Sequence, residues 1–360
     1  MKKNFKEVTM REYGNETIAV AMSGGVDSSV AAAVLKNQGY SLLGITMLTG
    51  GPDTAETIAD AKKVCDRLGI EHRVVDISAD FDRLVIDPFC SEYVKGRTPN
   101  PCVTCNRLIK FGLLLEEALR LGAARLATGH YIRLEQDPAS QRCLVKKGVD
   151  TTKDQSYVLY SLMQSQLARA ILPLGNYHKK EIRALAAEMD LPVADKPESQ
   201  EICFIEGDYR DFLAERGLAL PGPGPFLDMS GKVIGTHTGV TNYTIGQRRG
   251  LGIAHGVPLY VVAIDVKNNA VILGHNEDLQ CQTFRADSCN FIPFDYLSEE
   301  IEVEVKIRYS ARLAKATVIP LLPGTVEVRL EKAQRAVTPG QSVVFYRGDL
   351  LIGGGIIMSI

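Results

Sequence analysis

The segment TIAVAMSGGVDSS, residues 17–29, constrains the fold of this chain more than any other. The apolar run Thr17–Met22 predicts a short strand, and Ser28–Gln38 has the apolar spacing of a helix that ends at Gly39. Gly24 and Gly25 lie between them. Glycine lets the backbone approach a phosphate closely, and the first amides of the helix then face the anion. The segment therefore predicts a phosphate-binding loop, with a tight turn capped by Ser or Asp as the alternative.

Strand and helix patterns alternate through the first half of the chain. At these lengths the alternation is typical of βαβ units and of a parallel sheet. The predicted strands are Thr17–Met22, Leu42–Leu48, Arg73–Ile77 and Arg125–Thr128, and the predicted helices are Ser28–Gln38, Asp53–Leu68, Ile109–Leu121, Tyr157–Ala170 and His178–Met189.

The composition changes after about residue 210. Ten of the fifty residues from Asp211 to Tyr260 are glycine, which a helical domain would not tolerate. From Ala286 onward short β-runs are separated by turns such as Pro323-Gly324. We therefore predict an α/β fold with a parallel sheet for residues 1–210, a small Gly-rich β domain for 211–285 and a C-terminal β-barrel for 286–360, with a sandwich as the alternative to the barrel.

Charge and apolar patterning exclude several classes of protein. The chain has 41 Lys and Arg against 43 Asp and Glu, so nucleic-acid binding would need a local basic patch. The pairs Arg248/Arg249 and Arg308/Arg312 are the candidates. No run approaches the ~20 apolar residues of a membrane span, and the N-terminus lacks a secretory pattern. We therefore expect a cytoplasmic protein whose eight cysteines are mostly reduced.

Three cysteines are candidates for chemistry. Cys102 and Cys105 form a C-x2-C pair directly before a predicted helix, whose positive end would lower the pKa of the Cys105 thiol. Cys203 lies in a predicted loop after Pro197. A structural zinc site needs a second closely spaced pair of ligands, which the sequence does not offer. Unrelated buried thiols remain an alternative, as we expect for the other five cysteines.

Six motifs occur in the order SGGVDSS, NPCxxCNxxIKF, ATGHY, KDQSYxL, ESQEICF and TIGQRRGLG. The first resembles the pyrophosphate loop of the PP-loop ATP pyrophosphatases, which split ATP into AMP and pyrophosphate. Together the motifs resemble the bacterial tRNA-specific 2-thiouridylases over about residues 17–350. The resemblance implies that ATP activates the C2 oxygen of the wobble uridine of tRNA, and that sulfur then replaces this oxygen. It also implies a sulfur-donor protein carrying a persulfide, and we expect the chain to act as a monomer.

The resemblance assigns roles to individual residues. Cys105 is implied to be the nucleophile that displaces AMP, and Cys203 to carry the donor's persulfide. Asp27 is expected to hold Mg²⁺ bound to phosphate. The implied ATP contacts are Ala21, Met22, Ser23, Gly24, Gly25, Val26, Asp27, Ser28, Met47 and Gly129. The implied tRNA contacts are Asn100, Pro101, Cys102, His130, Lys153, Asp154, Gln155, Arg308, Tyr309 and Gln341.

Several of these residues have structural alternatives. His130 could be a core histidine, Met47 could fill apolar space, and Asp154 could cap a helix. Two other functions compete with thiolation. One is that of another PP-loop ligase acting on tRNA, which would need no pair of distant thiols. The other is a non-enzymatic sensor of RNA or nucleotide.

Cys102 departs from the family's pattern, which has an aspartate three residues before the nucleophile. Cys102, Cys105 and Cys203 could together hold a [4Fe–4S] cluster with one open iron that delivers sulfide to the activated uridine. Alternatively, Cys102 is a spare thiol, or forms a disulfide with Cys105 or Cys203 on oxidation. We favour the persulfide route, because the other motifs match that mechanism.

Overall fold

The computed structural model of the chain describes residues 16–51, 54–198, 202–253 and 256–358. The chain divides into two compact units. The first contains the residues up to Val85, Cys102–Phe204 and Gly348–Ile352, and the second contains Ile86–Pro101, Ile205–Arg347 and the residues from Gly353 onward. In the described part of the chain, no helix is both long enough and apolar enough to cross a membrane.

The first unit is built on a parallel sheet. The strands of this sheet are β1 (Thr17–Ala21), β2 (Ser41–Leu48), β3 (Glu71–Asp76), β4 (Arg125–Ala127) and β7 (Ala170–Ile171). The unit also contains the antiparallel hairpin of β5 (Ile132–Gln136) and β6 (Cys143–Lys147), which is not part of the parallel sheet. The parallel strands lie in the order β3-β2-β1-β4-β7. The strand order reverses at β1, and ligands of such sheets bind in the crevice at the carboxyl ends of the strands on either side of that point.

The helices alternate with these strands as the sequence predicts. They are α1 (Val26–Asn37), α2 (Thr54–Leu68), α3 (Ser78–Phe81), α4 (Asp87–Val94), α5 (Pro101–Thr104), α6 (Leu115–Arg120), α7 (Gln164–Leu167), α8 (Lys179–Glu188) and α9 (Tyr209–Glu215). Two π-helical segments (Asp82–Ile86 and Cys105–Leu114) and three 3₁₀ turns (Ser156–Leu159, Val240–Asn242 and Glu277–Leu279) complete the helical structure of the described residues. Only α4 and α9 lie wholly in the second unit.

Helix α1 lies in the middle of the core of the first unit. Its residues Val30–Leu35 have no exposed surface. Ala32 and Leu35 pack with sheet residues such as Ile18, while the opposite side of the helix packs with α8 residues such as Ile182. A helix that is apolar on all sides has to be buried between two layers, and this burial fixes the start of α1 at the carboxyl edge of the sheet.

The predicted helix Tyr157–Ala170 is wrong. The segment forms the 3₁₀ turn Ser156–Leu159, the short helix α7 and then strand β7. Consecutive side chains from Tyr157 to Leu162 are buried, so the segment has no polar face of the kind that a surface helix needs. The carboxylate of Asp154 also accepts hydrogen bonds from the amide and the hydroxyl of Ser156, which favours a local turn.

The second unit contains a small sheet and a closed barrel. The sheet has the order β10-β11-β8-β9, from β8 (Gly224–Leu227), β9 (Val233–His237), β10 (Tyr260–Asp265) and β11 (Ala270–Gly274). The barrel is built from β12 (Gln280–Phe291), β13 (Ile301–Lys306), β14 (Ala314–Leu322), β15 (Thr325–Arg335), β16 (Ser342–Arg347) and β17 (Leu350–Ile357). It closes because β12 pairs with both β15 and β17.

These observations confirm the predicted fold class, in which a parallel α/β sheet is followed by a Gly-rich β region and a β-barrel. The sandwich alternative is wrong, because the six strands close into a single barrel. The boundaries at residues 210 and 285 stay a prediction.

Candidate active site

The glycine-rich loop connects β1 to α1 in the first unit. Gly24 has a φ of 64°, and a Cβ there would lie 2.7 Å from the Thr57 carbonyl oxygen, so the position requires glycine. The Ser28 hydroxyl accepts a hydrogen bond from the Ser23 amide at 3.2 Å, and the Ser29 hydroxyl donates to the Gly25 carbonyl at 2.8 Å. Within the described residues, no side chain caps the N-terminus of α1. Its first amides therefore remain suited to an anionic ligand.

Gly129 brings the segment after β4 against this loop. A Cβ at Gly129 would lie 2.8 Å from the Asp27 carbonyl carbon and from the Ser28 nitrogen. The predicted nucleotide residues after β1 and after β4 therefore lie together at the carboxyl edge where the strand order reverses. Met22 is buried and its amide bonds to the Ile45 carbonyl, whereas Met47 is half-buried near the end of β2.

Gly129→Ala is expected to weaken ATP binding by about tenfold or more. The added methyl meets backbone atoms at 2.8 Å rather than a movable side chain, so the loop has to shift. Such overpacking costs about 1–3 kcal/mol. Calorimetric titration with ATP measures the effect. Gly222→Ala is the matched control, since a Cβ there meets nothing within 4 Å; equal affinities in the two variants would contradict the prediction.

Asp27 is the acidic side chain of the loop, and it is held by two donors. Its two carboxylate oxygens accept hydrogen bonds from the Lys179 ammonium at 2.7 and 2.8 Å. The Tyr131 hydroxyl donates to one of them at 2.6 Å. Burial and the neighbouring Asp27 raise the pKa of Tyr131, which keeps this hydroxyl protonated. Lys179 also pairs with Glu198 at 3.2 Å.

No pattern in the sequence indicated that Lys179, Tyr131 and Glu198 belong to this site. Lys179 lies 152 residues after Asp27, at the first position of α8. No lysine directly follows the glycines in the sequence, but the fold supplies one from a distant helix. The sequence did predict the helix His178–Met189, and its predicted start lies next to Lys179.

The structure brings the three candidate thiols close enough to interact. Cys102 lies in α5 and Cys105 is the first residue of the π-helix Cys105–Leu114. The Cys105 thiol interacts electrostatically with the thiols of Cys102 and Cys203. Cys203 is exposed, and the next side chain, Phe204, is buried with its ring 5.8 Å from that of Phe81 in an edge-to-face contact.

The expected low pKa of Cys105 is wrong. The helical segment already begins at Pro101, so Cys105 does not occupy its N-terminal position. Burial raises the pKa of the Cys105 thiol to about 12, and Lys110 acts in the opposite direction. Burial of their thiol groups also raises the pKa of Cys102 and Cys203, although both residues keep an exposed surface. Lys110 therefore counteracts the loss of solvation at all three thiols.

Two observations bear on the state of the thiols. Among the described residues, no disulfide joins any of the eight cysteines. In the same part of the chain, no three His, Cys, Asp or Glu side chains are arranged to hold a metal ion. The [4Fe–4S] cluster on Cys102, Cys105 and Cys203 therefore stays a prediction.

Five of the predicted tRNA residues lie in the first unit, namely Cys102, described above, and four others that have hydrogen-bond or ion-pair partners there. His130 is buried, its Nδ1 lies 2.7 Å from the Thr128 hydroxyl, and burial lowers its pKa well below the usual range. Lys153 pairs with Glu198 at 2.6 Å. Asp154 is buried and accepts from the Gly148 amide, while Gln155 accepts from the Tyr131 amide. The Asp154 carboxylate thus stabilises a local turn, and its contact with tRNA stays a prediction.

The other five predicted tRNA residues lie in the second unit, where Asn100 and Pro101 directly precede Cys102 in sequence. The Gln341 amide donates to the carbonyls of Thr98 and Pro99 at 2.8 and 3.4 Å, so it supports the segment that leads to Asn100 and Pro101. On the barrel, Arg308 is half-buried and Tyr309 is exposed. The basic candidates Arg248, Arg249 and Arg312 are exposed.

Comparison with known protein families defines the class of this protein. Three family models match consecutive parts of the chain. They are the tRNA methyl transferase HUP domain over residues 16–207, the tRNA methyl transferase PRC-barrel domain over 210–275 and the aminomethyltransferase beta-barrel domain over 281–357. The chain thus belongs to a class of proteins in which an α/β HUP domain is followed by a PRC-barrel domain and a β-barrel domain.

Curated relatives narrow this class to one family. A tRNA-specific 2-thiouridylase of Thermoanaerobacter sp. is 52% identical over 356 residues, which are 95% of this chain and 98% of the relative. The enzyme of the same name from Pelotomaculum thermopropionicum is 51% identical, over 95% of this chain and 97% of the relative. That of Heliobacterium modesticaldum is 50% identical, over 95% and 92%. The chain belongs to the family of tRNA-specific 2-thiouridylases.

Proposed function

We propose that this chain is a tRNA-uridine 2-sulfurtransferase that uses ATP to replace the C2 oxygen of the wobble uridine with sulfur. One observation carries the proposal. A single unit of the fold holds both an anion-binding loop at the switch point of a parallel sheet and a group of interacting thiols. The loop suits nucleotide chemistry and the thiols suit sulfur transfer. Family membership at about 50% identity supports the same assignment.

Adenylation is the first step of the proposed reaction. The uridine C2 oxygen attacks the α-phosphate of ATP, and pyrophosphate leaves. The loop Ser23–Ser28 and Gly129 would contact the phosphates, and Met22 and Met47 the adenosine part. Mg²⁺ would supply charge neutralisation at the phosphates, and the Asp27 carboxylate is of the ligand type that this ion prefers. The adenylate makes the C2 oxygen a good leaving group.

Sulfur transfer follows at Cys105 and Cys203. The Cys105 sulfur attacks C2, its thiol proton passes to the departing phosphate of AMP, and AMP leaves. The outer sulfur of a persulfide on Cys203 then displaces Cys105 from C2. Finally Cys105 attacks the Cys203 sulfur, which releases 2-thiouridine and leaves a Cys105–Cys203 disulfide for an external thiol to reduce. The mutual proximity of these thiols and the cation of Lys110 support this route.

The proposal includes the partners of the reaction. The substrate is tRNA, with exposed basic side chains in the second unit as candidate phosphate contacts. A protein carrying a persulfide supplies the sulfur, and its outer sulfur passes to Cys203, which is exposed as a receiving thiol should be. A monomer located in the cytoplasm stays a prediction.

The experiment is nucleoside mass spectrometry after incubation of the protein with unmodified tRNA, ATP, Mg²⁺ and a persulfide donor. We expect 2-thiouridine at the wobble position, with one AMP and one pyrophosphate formed per sulfur incorporated. A tRNA with cytidine at the wobble position is the matched control and should stay unmodified. Methylated uridine, modified cytidine, or ADP and phosphate as products would each contradict the proposal.

A further inference from the structure

The ammonium of Lys179 lies between two carboxylates. It contacts both oxygens of Asp27 at 2.7 and 2.8 Å and an oxygen of Glu198 at 3.2 Å. It also lies 5.6 Å from the centre of the Tyr131 ring. Only 12% of the Lys179 side chain is exposed. An ammonium so far removed from water has to be paired, so its position is set by the anions around it.

Each of the two carboxylates has a second partner. Asp27 accepts from the Tyr131 hydroxyl at 2.6 Å, and Glu198 pairs with Lys153 at 2.6 Å. Asp27 and Glu198 could therefore lose Lys179 without becoming unpaired. The ammonium, in contrast, is the shared member of the network. A new anion that arrived at the loop would compete for it directly.

The start of α8 is not itself the anion site. The Lys179 amide donates to the Asp150 carboxylate at 2.9 Å, and the Glu181 carboxylate accepts from the His178 amide at 2.6 Å. These contacts fix the backbone that carries Lys179. Only the side chain of Lys179 reaches the loop. There it contacts Asp27, the second residue of α1, close to the uncapped amides of that helix.

We propose that Lys179 is a phosphate-binding residue that exchanges the Asp27 carboxylate for the β- and γ-phosphates of ATP, and so holds the outgoing pyrophosphate. The inference rests on the proposed function and extends its nucleotide site. Before ATP binds, Lys179 neutralises Asp27 and keeps its carboxylate in place beside the loop. When Mg²⁺ and the phosphates bind, the ammonium turns to the phosphate oxygens and keeps Glu198 as its second partner.

The test compares three ligands, each in the presence of Mg²⁺: ATP, AMP and inorganic pyrophosphate. Calorimetric titration is done on the full-length protein and on Lys179→Gln. We expect ATP and pyrophosphate to bind about 10- to 100-fold more weakly to the variant, because a charge-assisted hydrogen bond is lost. AMP, which lacks the β- and γ-phosphates, should bind with unchanged affinity. Lys180→Gln removes the neighbouring exposed lysine and should leave all three affinities unchanged.

A second variant keeps the inference falsifiable if Lys179→Gln does not fold. Glu198→Gln removes the negative charge that stays beside Lys179 when the phosphates bind, so pyrophosphate should bind several-fold more tightly while AMP is unaffected. Equal losses for ATP and AMP in Lys179→Gln, or unchanged pyrophosphate binding in Glu198→Gln, would overturn the inference. Neither result would affect the proposed function, which fails only if the unaltered protein does not bind ATP or does not form 2-thiouridine.

Discussion

Replacing Cys105 by serine is expected to abolish 2-thiouridine formation, while tRNA-dependent release of pyrophosphate continues. A serine hydroxyl at this buried position is a far weaker nucleophile than a thiolate, so AMP would not be displaced from C2. Adenylation involves no thiol and depends on the loop after β1. Nucleoside mass spectrometry measures the first reaction and a pyrophosphate assay the second. The expected loss of thiolation is at least about 10³-fold, as for removal of other covalent nucleophiles.

Two further cysteine variants test the division of roles. Cys203→Ser should also end thiolation from a persulfide donor and keep adenylation. Cys143→Ser is the matched control, since it alters a partly exposed thiol of the same unit in strand β6, and it should thiolate normally. Thiolation that survives in Cys203→Ser would rule out Cys203 as the persulfide carrier.

Asp27→Asn is expected to lower the rate of AMP and pyrophosphate formation by about 10²- to 10³-fold or more. The amide keeps a hydrogen-bond acceptor for the Tyr131 hydroxyl but removes the charge that pairs with Lys179. It is also a poorer ligand for Mg²⁺ than a carboxylate. Steady-state pyrophosphate release is the measurement. The protein should remain folded, because Lys179 retains its contact with Glu198.

Asp66→Asn provides a control for loss of one carboxylate. Asp66 pairs with Lys62 on the exposed face of α2, with 62% of each side chain exposed. Such surface pairs contribute about 0–1 kcal/mol, so this variant should keep both its melting temperature and its activity. Pyrophosphate release by Asp27→Asn at the rate of the Asp66→Asn control would contradict the assignment of Asp27 to the nucleotide site.

The parallel sheet could be predicted because its strands β1, β2 and β4 are short and largely buried, so their sequences are apolar runs between helices. Strands β5 and β6 escaped prediction, since residues such as Arg133 and Gln136 give them no apolar run. Strand β12 also escaped. Its pairing contains register shifts between Cys281 and Thr283 and again between Asp287 and Asn290, which interrupt the alternation of buried and exposed residues.

The anion loop was predictable because it is local, with strand, glycines and helix start adjacent in sequence. The partners of Asp27 were not, because Tyr131 and Lys179 reach it only through the folded sheet. The predicted lowering of the Cys105 pKa was wrong for a related reason. The helical segment begins at Pro101, earlier than the sequence predicts, and the burial that raises the pKa of Cys105 depends on the folded structure.

The path of the chain between its two units has a consequence for when the enzyme can become complete. The first unit includes residues Gly348–Ile352, only a few residues from the C-terminus. There the Asp349 carbonyl accepts from the Lys147 amide at 2.8 Å, and the Asp349 carboxylate pairs with Arg133 at 2.6 Å. A nascent or truncated chain would leave this edge of the β5–β6 hairpin open to pairing with other chains. The first unit therefore reaches its final form only after residues 348–352 have been synthesised and have paired with this hairpin.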